Sequence, residues 1–175
     1  LENIRKAIRT VPDFPRPGIQ FKDITPLLQD PALSREITEA FVKHLKDLRL
    51  DAIVGIESRG FLFGFMLAAR LGLPFVLVRK SGKLPYKTIG TEYALEYGTA
   101  KVEMHVDALR PGWNVLIHDD LLATGGTAAA AAKLVQLQGA QVAGFAFVVE
   151  LGFLEGRKQL REYSENILSL VGYSD

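Results

Sequence analysis

Apolar residues recur at two spacings along this chain, and the change from one to the other divides it. Leu1, Ile4, Ile8 and Val11 stand three or four residues apart, the period of one helix face, and predict a short amphipathic helix. That pattern stops at "PDFPRPG", where three prolines in six residues impose an extended, stiff loop. Asp30 followed by Pro31 is a cap and first-turn pair, and the helix it opens carries Leu33, Ile37, Phe41, Leu45 and Leu48 on one face. From residue 51 the rhythm becomes strand, loop, helix. "DAIVGI" reads as a buried strand, "ESRG" as a turn, and "FLFGFMLAARLG" as a helix ending at Gly72. "PFVLVRK", "NVLIHDD" and "QVAGFAFVVE" are further strands, and the alanines at 128–132 are a helix interior. Short continuous apolar strands alternating with helices predict an α/β fold, its parallel sheet covered on both faces. Residues 81–106 break the rhythm and read as an antiparallel excursion, while "NILSLV" near the end adds one more strand.

Composition narrows the class. A chain of 175 residues with 48% hydrophobic and 23% charged positions reads as one globular domain. A net charge of +1 is too small for a polyanion binder, so no nucleic-acid partner is expected. With no cysteine, disulfides and thiolate metal sites are excluded. The longest apolar runs are too short for a membrane span and no signal peptide is legible, so the expected location is cytoplasmic.

The chemistry concentrates in "VLIHDDLLATGGTAAAAA", residues 115–132. In open α/β sheets ligands collect beyond the carboxyl ends of strands, and this strand delivers Asp119 and Asp120 to such an end. "ATGGT" then turns into a helix, offering backbone N–H groups, the positive end of the helix dipole and the hydroxyls of Thr124 and Thr127. Gly125 and Gly126 permit close approach. An anion cradle beside two carboxylates suits a ligand with a phosphate at one end and hydroxyls nearby, such as a ribose 5-phosphate. The same residues also fit a plain tight turn with Asp120 as a helix cap. Neither a Walker loop nor G-x-G-x-x-G occurs, which excludes a dinucleotide-dependent oxidoreductase.

"VLIHDDLLATGGTA" resembles the signature of the purine and pyrimidine phosphoribosyltransferases. With "VPDFPRPGIQFKDITPLL", "IESRGFLFG", "VLVRKSGKLPYKT" and "EYALEYG", the chain over about residues 10–155 resembles the adenine-using branch of that family. The resemblance implies a type I phosphoribosyltransferase fold in a single domain, with an N-terminal hood and base-recognition segment at 1–30. The core would be 31–175, with a lid at about 81–100. It implies transfer of a phosphoribosyl group from pyrophosphate to adenine, giving AMP through an oxocarbenium-like transition state.

Site residues follow from the resemblance. Asp119 and Asp120 would hold the ribose hydroxyls, and Ala123, Thr124, Gly125, Gly126 and Thr127 the 5′-phosphate. Pyrophosphate would meet Glu57 and Ser58, joined by a cis peptide, together with Arg59, Arg79 and Lys83. Lys80 reads as a solvated lysine. Adenine would lie against Phe21, Gln20, Lys22 and Leu121, and Glu96 of "LEYG" would serve as general acid/base beside the catalytic Arg59. Phe21 also fits a plain core position, Arg59 a surface ion pair and Glu96 a solvent-facing one. Lys22 and Gln20 depart from the arginine and aliphatic residue common at those positions, and Glu57 from an aspartate. Mg²⁺ would be held by substrate oxygens and water near Asp119 and Asp120, with no direct protein ligand. His44, His105, His118 and Trp113 read as structural. A homodimer is the family's usual assembly. Two alternatives remain: transfer to a 6-oxopurine, for which the usual lysine has no counterpart in "FVVELGF", and a regulator that senses phosphoribosyl pyrophosphate without turning it over.

Overall fold

The computed structural model describes residues 1–175. Its first helix, α1 (Glu2–Ala7), is shorter than the apolar spacing predicts. Ile8 is already extended (φ −68°, ψ 121°), and Val11 belongs to strand β1 (Arg9–Pro12), which pairs antiparallel with β2 (Gln20–Asp23). The reason is local and tertiary together. Thr10 and Val11 are β-branched, Pro12 disfavours the helical conformation of Val11, and pairing of Val11 with Phe21 satisfies the backbone. The proline-rich segment is therefore the loop of a hairpin rather than a free connection. Asp13 closes it by accepting the Gly18 N–H at 2.8 Å, with Gly18 at φ +87°.

A short helix that the apolar pattern does not announce, α2 (Thr25–Gln29), leads into α3 (Pro31–Leu45). Here the capping prediction holds: the Asp30 carboxylate accepts from the N–H groups of Ala32 and Leu33 at 2.8 and 3.2 Å. Ile37 and Phe41 are fully buried, each contributing about 1.5–3 kcal/mol, whereas Leu48 lies beyond the helix end.

The rest alternates as expected: β3 (Ala52–Ile56), α4 (Gly60–Leu71), β4 (Phe75–Lys80), then the hairpin β5 (Thr88–Ala94) and β6 (Thr99–His105). After these come β7 (Asn114–Leu122), α5 (Gly126–Leu137), β8 (Gln141–Leu151), the short α6 (Arg157–Leu160) and β9 (Ile167–Tyr173). One seven-stranded sheet runs in the order β5-β6-β4-β3-β7-β8-β9, with β4, β3, β7, β8 and β9 parallel and the hairpin extending it antiparallel from β4.

Side-chain alternation sorts the core into two layers. Phe145 and Phe147 point to the face covered by α5, and Ala146 and Val148 to the face covered by α3, α4 and the N-terminal elements. From β3 the chain runs first to β4 on one side and later to β7 on the other. The strand order therefore reverses between β3 and β7, and a crevice opens at their carboxyl ends. No helix is long and apolar enough to cross a membrane.

Candidate active site

The crevice is built from the ends of β3, β4 and β7. Glu57, Ser58, Arg59, Lys80, Lys83, Asp119 and Asp120 line a cleft of about 480 Å³ that contains no apolar side chain. Its geometry depends on a close approach. Gly60, which opens α4, packs so tightly on β7 that a Cβ there would stand 2.8 Å from Asp119 Oδ1 and 3.1 Å from the His118 carbonyl oxygen. The Glu57–Ser58 peptide is cis, as the resemblance implies.

Two adjacent carboxylates at a strand end repel. Burial first, and the Asp120 charge second, push the Asp119 carboxyl well above the ordinary range. The Asp120 N–H donates to Asp119 Oδ1 at 2.8 Å. Arg59 Nε lies 2.8 Å from Asp120 Oδ2. That contact pairs charge with charge: no donor reaches the buried Oδ2 in hydrogen-bond geometry, so the Arg59 guanidinium is what compensates its charge. Arg59 thus makes an ion pair with a buried carboxylate inside a cleft, not a surface one. Its guanidinium also stands 5.2 Å from the Phe21 ring, which Phe14 meets edge-on at 5.1 Å. Phe21 thereby joins the site although it comes from the N-terminal hairpin.

On the opposite wall Glu57 accepts from Arg79 Nε and Nη2 at 2.8 and 2.6 Å and from the Lys80 N–H at 3.0 Å. Burial alone would raise the Glu57 carboxyl; these hydrogen bonds outweigh it and hold it below its ordinary value. The Arg79 guanidinium is committed to Glu57 and stands behind the cleft, while Lys80, read from the sequence as solvated, lines it. Only the strand's alternation could have hinted at this exchange.

Beyond β7 the turn of residues 123–127 encloses a cavity of about 80 Å³, lined also by Asp119 and Leu121. Gly125 holds φ +87° as the N-cap of α5, with no side chain capping the helix. The first-turn N–H groups of α5 are therefore available to an anion. Tyr93, from β5, meets Thr127 hydroxyl to hydroxyl at 3.2 Å.

Besides Arg79, three predicted residues are not in the cleft wall. Gln20 is exposed. Lys22 turns away, donating to Thr10 Oγ1 at 3.0 Å and lying 4.1 Å over the Tyr173 ring. Glu96, at the exposed tip of the β5–β6 hairpin, is gripped by Arg16 of the proline-rich loop at 2.6 Å. The proline-rich loop and the β5–β6 hairpin therefore touch through the candidate acid/base, a contact between residues 80 apart that no local pattern announces.

Residues 23–171 match the phosphoribosyl transferase domain family. The chain is 49% identical over 172 residues to the adenine phosphoribosyltransferase of Cytophaga hutchinsonii, covering 98% of this chain and 95% of that one. The crystal structure of the adenine phosphoribosyltransferase from Thermoanaerobacter pseudethanolicus superposes with a TM-score of 0.95 at 51% identity, covering 98% and 99% of the two chains. The Saccharomyces cerevisiae enzyme, complexed with an imino-altritol bisphosphate and adenine, gives 0.92 at 42% identity, covering 97% of each. A switch-point crevice with paired aspartates and an open helix N-terminus defines the class, and the chain belongs to the phosphoribosyltransferases, with their type I fold. Within them it belongs with the adenine phosphoribosyltransferases, a family of pentosyltransferases.

Proposed function

We propose that the chain transfers the phosphoribosyl group of 5-phosphoribosyl 1-pyrophosphate to adenine, releasing pyrophosphate and forming AMP in purine salvage. The observation that carries this reading is the meeting, in one crevice, of Arg59, Asp119 and Asp120 with the 123–127 turn and the Phe21 ring. Each part suits one part of the substrates. The N–H groups and hydroxyls of residues 123–127 suit the 5′-phosphate, and the carboxylates of Asp119 and Asp120 suit the ribose hydroxyls.

As the bond from the anomeric carbon to pyrophosphate breaks, negative charge grows on the leaving group and positive charge on the ribose. Arg59, Lys80 and Lys83 face the first and the paired aspartates the second, which is stabilisation aimed at the transition state. The adenine nitrogen that bonds to the ribose gives up its proton, and Glu96 is the carboxylate suited to take it once released from Arg16. Phe21 supplies a face for the base to stack on, and closure of the β5–β6 hairpin over the cleft would keep water from the cationic ribose.

No three His, Cys, Asp or Glu side chains converge as a protein-only metal centre. Asp119 and Asp120 line the wholly polar cleft, which suits Mg²⁺ held by substrate oxygens and water near them, where the ion would supply positive charge against pyrophosphate. The active assembly is a homodimer. The outer face of α4 with β4 supports this, since Phe61 and Phe65 form an aromatic patch with Phe75, which both meet edge-on, and Phe65 is 60% exposed. Both substrates are metabolites of the cytoplasm, where the enzyme would act.

The test is product formation with Mg²⁺ and phosphoribosyl pyrophosphate, offering adenine, hypoxanthine, guanine and xanthine separately. AMP from adenine alone is expected. Turnover of a 6-oxopurine instead would sink the assignment of the base, and tight binding of phosphoribosyl pyrophosphate without turnover would mark a sensor.

A further inference from the structure

A second set of residues presses on the 123–127 turn from outside the cleft, and the reaction above makes no use of it. After β8 the chain makes one 3₁₀ turn at Gly152–Leu154, passes through Glu155 at φ +55°, and enters α6. Gly156 there is packed backbone against backbone on the phosphate loop. A Cβ on Gly156 would collide with the Ala123 carbonyl oxygen and stand 3.1 Å from Gly125 N. Seen from the other side, a Cβ on Gly125 would come within 2.6 Å of the Gly156 carbonyl oxygen. One turn of α6 further on, Gln159 Nε2 donates to the Thr124 carbonyl oxygen at 3.1 Å.

This brace is itself anchored. Arg157 donates Nε and Nη2 to the two oxygens of Glu150, both at 2.7 Å, and Nη1 to the Ile167 carbonyl oxygen at 2.8 Å. The turn is thereby tied to β8 and β9, two strands of the sheet. The Arg157 hydrogen bonds hold the Glu150 carboxyl below its ordinary value, so the fork stays charged at neutral pH.

A loop containing two adjacent glycines has many backbone states of its own, and an anion nest works only if its N–H groups already converge. Nothing within residues 123–127 fixes that convergence, since α5 has no side-chain cap. We propose that Gly156 and Gln159 are positioning residues for the 5′-phosphate: they hold the carbonyls of Ala123 and Thr124 outward, so that the N–H groups after them face the ligand. The inference rests on the reading of residues 123–127 as the 5′-phosphate site. It adds that the shape of this site is set some thirty residues downstream, by a turn that never touches substrate.

The test compares Gln159→Leu and Gly156→Ala with the exposed control Lys158→Ala. Steady-state constants are measured for phosphoribosyl pyrophosphate and adenine, and ribose 5-phosphate and pyrophosphate are titrated separately into each folded protein. Gln159→Leu keeps the backbone free of any new clash, so it answers the question even if Gly156→Ala fails to fold. The expected result is a KM for phosphoribosyl pyrophosphate raised about tenfold in Gln159→Leu and more in Gly156→Ala, with matching losses of ribose 5-phosphate affinity. Pyrophosphate affinity, the KM for adenine and kcat should stay within about threefold of the parent, as all constants should in the control. Unchanged ribose 5-phosphate binding in Gln159→Leu would overturn the proposal, as would an equal loss for pyrophosphate, the mark of general loosening. A parent protein that binds pyrophosphate but not ribose 5-phosphate would overturn the phosphate-loop reading itself, and this inference with it.

Discussion

His118 lies directly before the two aspartates on β7, fully buried, its ring edge-on to Phe41 at 5.4 Å. Neither ring nitrogen has a partner in hydrogen-bond geometry. Burial lowers its pKa from 6.5 to about 4, with the Ala146 backbone opposing the shift only in part. Below pH 6.5 the unfolded chain therefore takes up a proton that the folded chain refuses until about pH 4. Stability is present above that window and lost as pH falls through it, by about 3 kcal/mol at its lower end. His118→Leu should remove most of this acid sensitivity while keeping the apolar volume of the strand. Urea unfolding at pH 7 and pH 4.5 measures it, and equal pH dependence in parent and variant would mean that His118 is not held neutral by burial.

At the scale of elements, the cleft depends on how α4 sits against β7. Exchanging Gly60 for alanine would favour the helix by propensity, by up to about 1 kcal/mol. It would also place a methyl 2.8 Å from Asp119 Oδ1, where a carboxylate on a rigid strand has little room to retreat. Gly60→Ala is therefore expected to lower kcat/KM for phosphoribosyl pyrophosphate about 10²-fold while Tm moves by only a few degrees. Kinetics beside thermal melts decide this, and a parallel collapse of both would make Gly60 a folding residue alone.

At the scale of the whole molecule, the aromatic patch on α4 and β4 gives the chain an apolar surface that folding by itself leaves exposed. If a second copy covers it, Phe65→Glu should convert a particle of twice 19.3 kDa into a monomer without changing its circular dichroism. Light scattering at micromolar concentration reads the outcome directly. A parent protein that is already monomeric would end the dimer proposal.

The Asp30 cap, the buried strand at 52–56 and the turn that opens α5 were legible in the amino-acid sequence because each is encoded within a few residues, by spacing, glycine or a short polar side chain. So was the pairing of Asp119 and Asp120 with that turn, since strand and loop are contiguous. Apolar spacing alone puts Val11 on a helix face, but its partner, Phe21, lies across a hairpin, and cross-strand pairing overrides a weak local preference. The exchange of Lys80 for Arg79 in the cleft wall was decided by Glu57, 22 residues from Arg79. Arg16 reaching Glu96, and Gly156 and Gln159 bracing Ala123 and Thr124, likewise join segments that only the folded sheet brings together. Local sequence determined which groups could do the chemistry. The tertiary structure decided which of them meet, because charge pairing and backbone contact act over a few ångströms of space, whatever the distance along the chain.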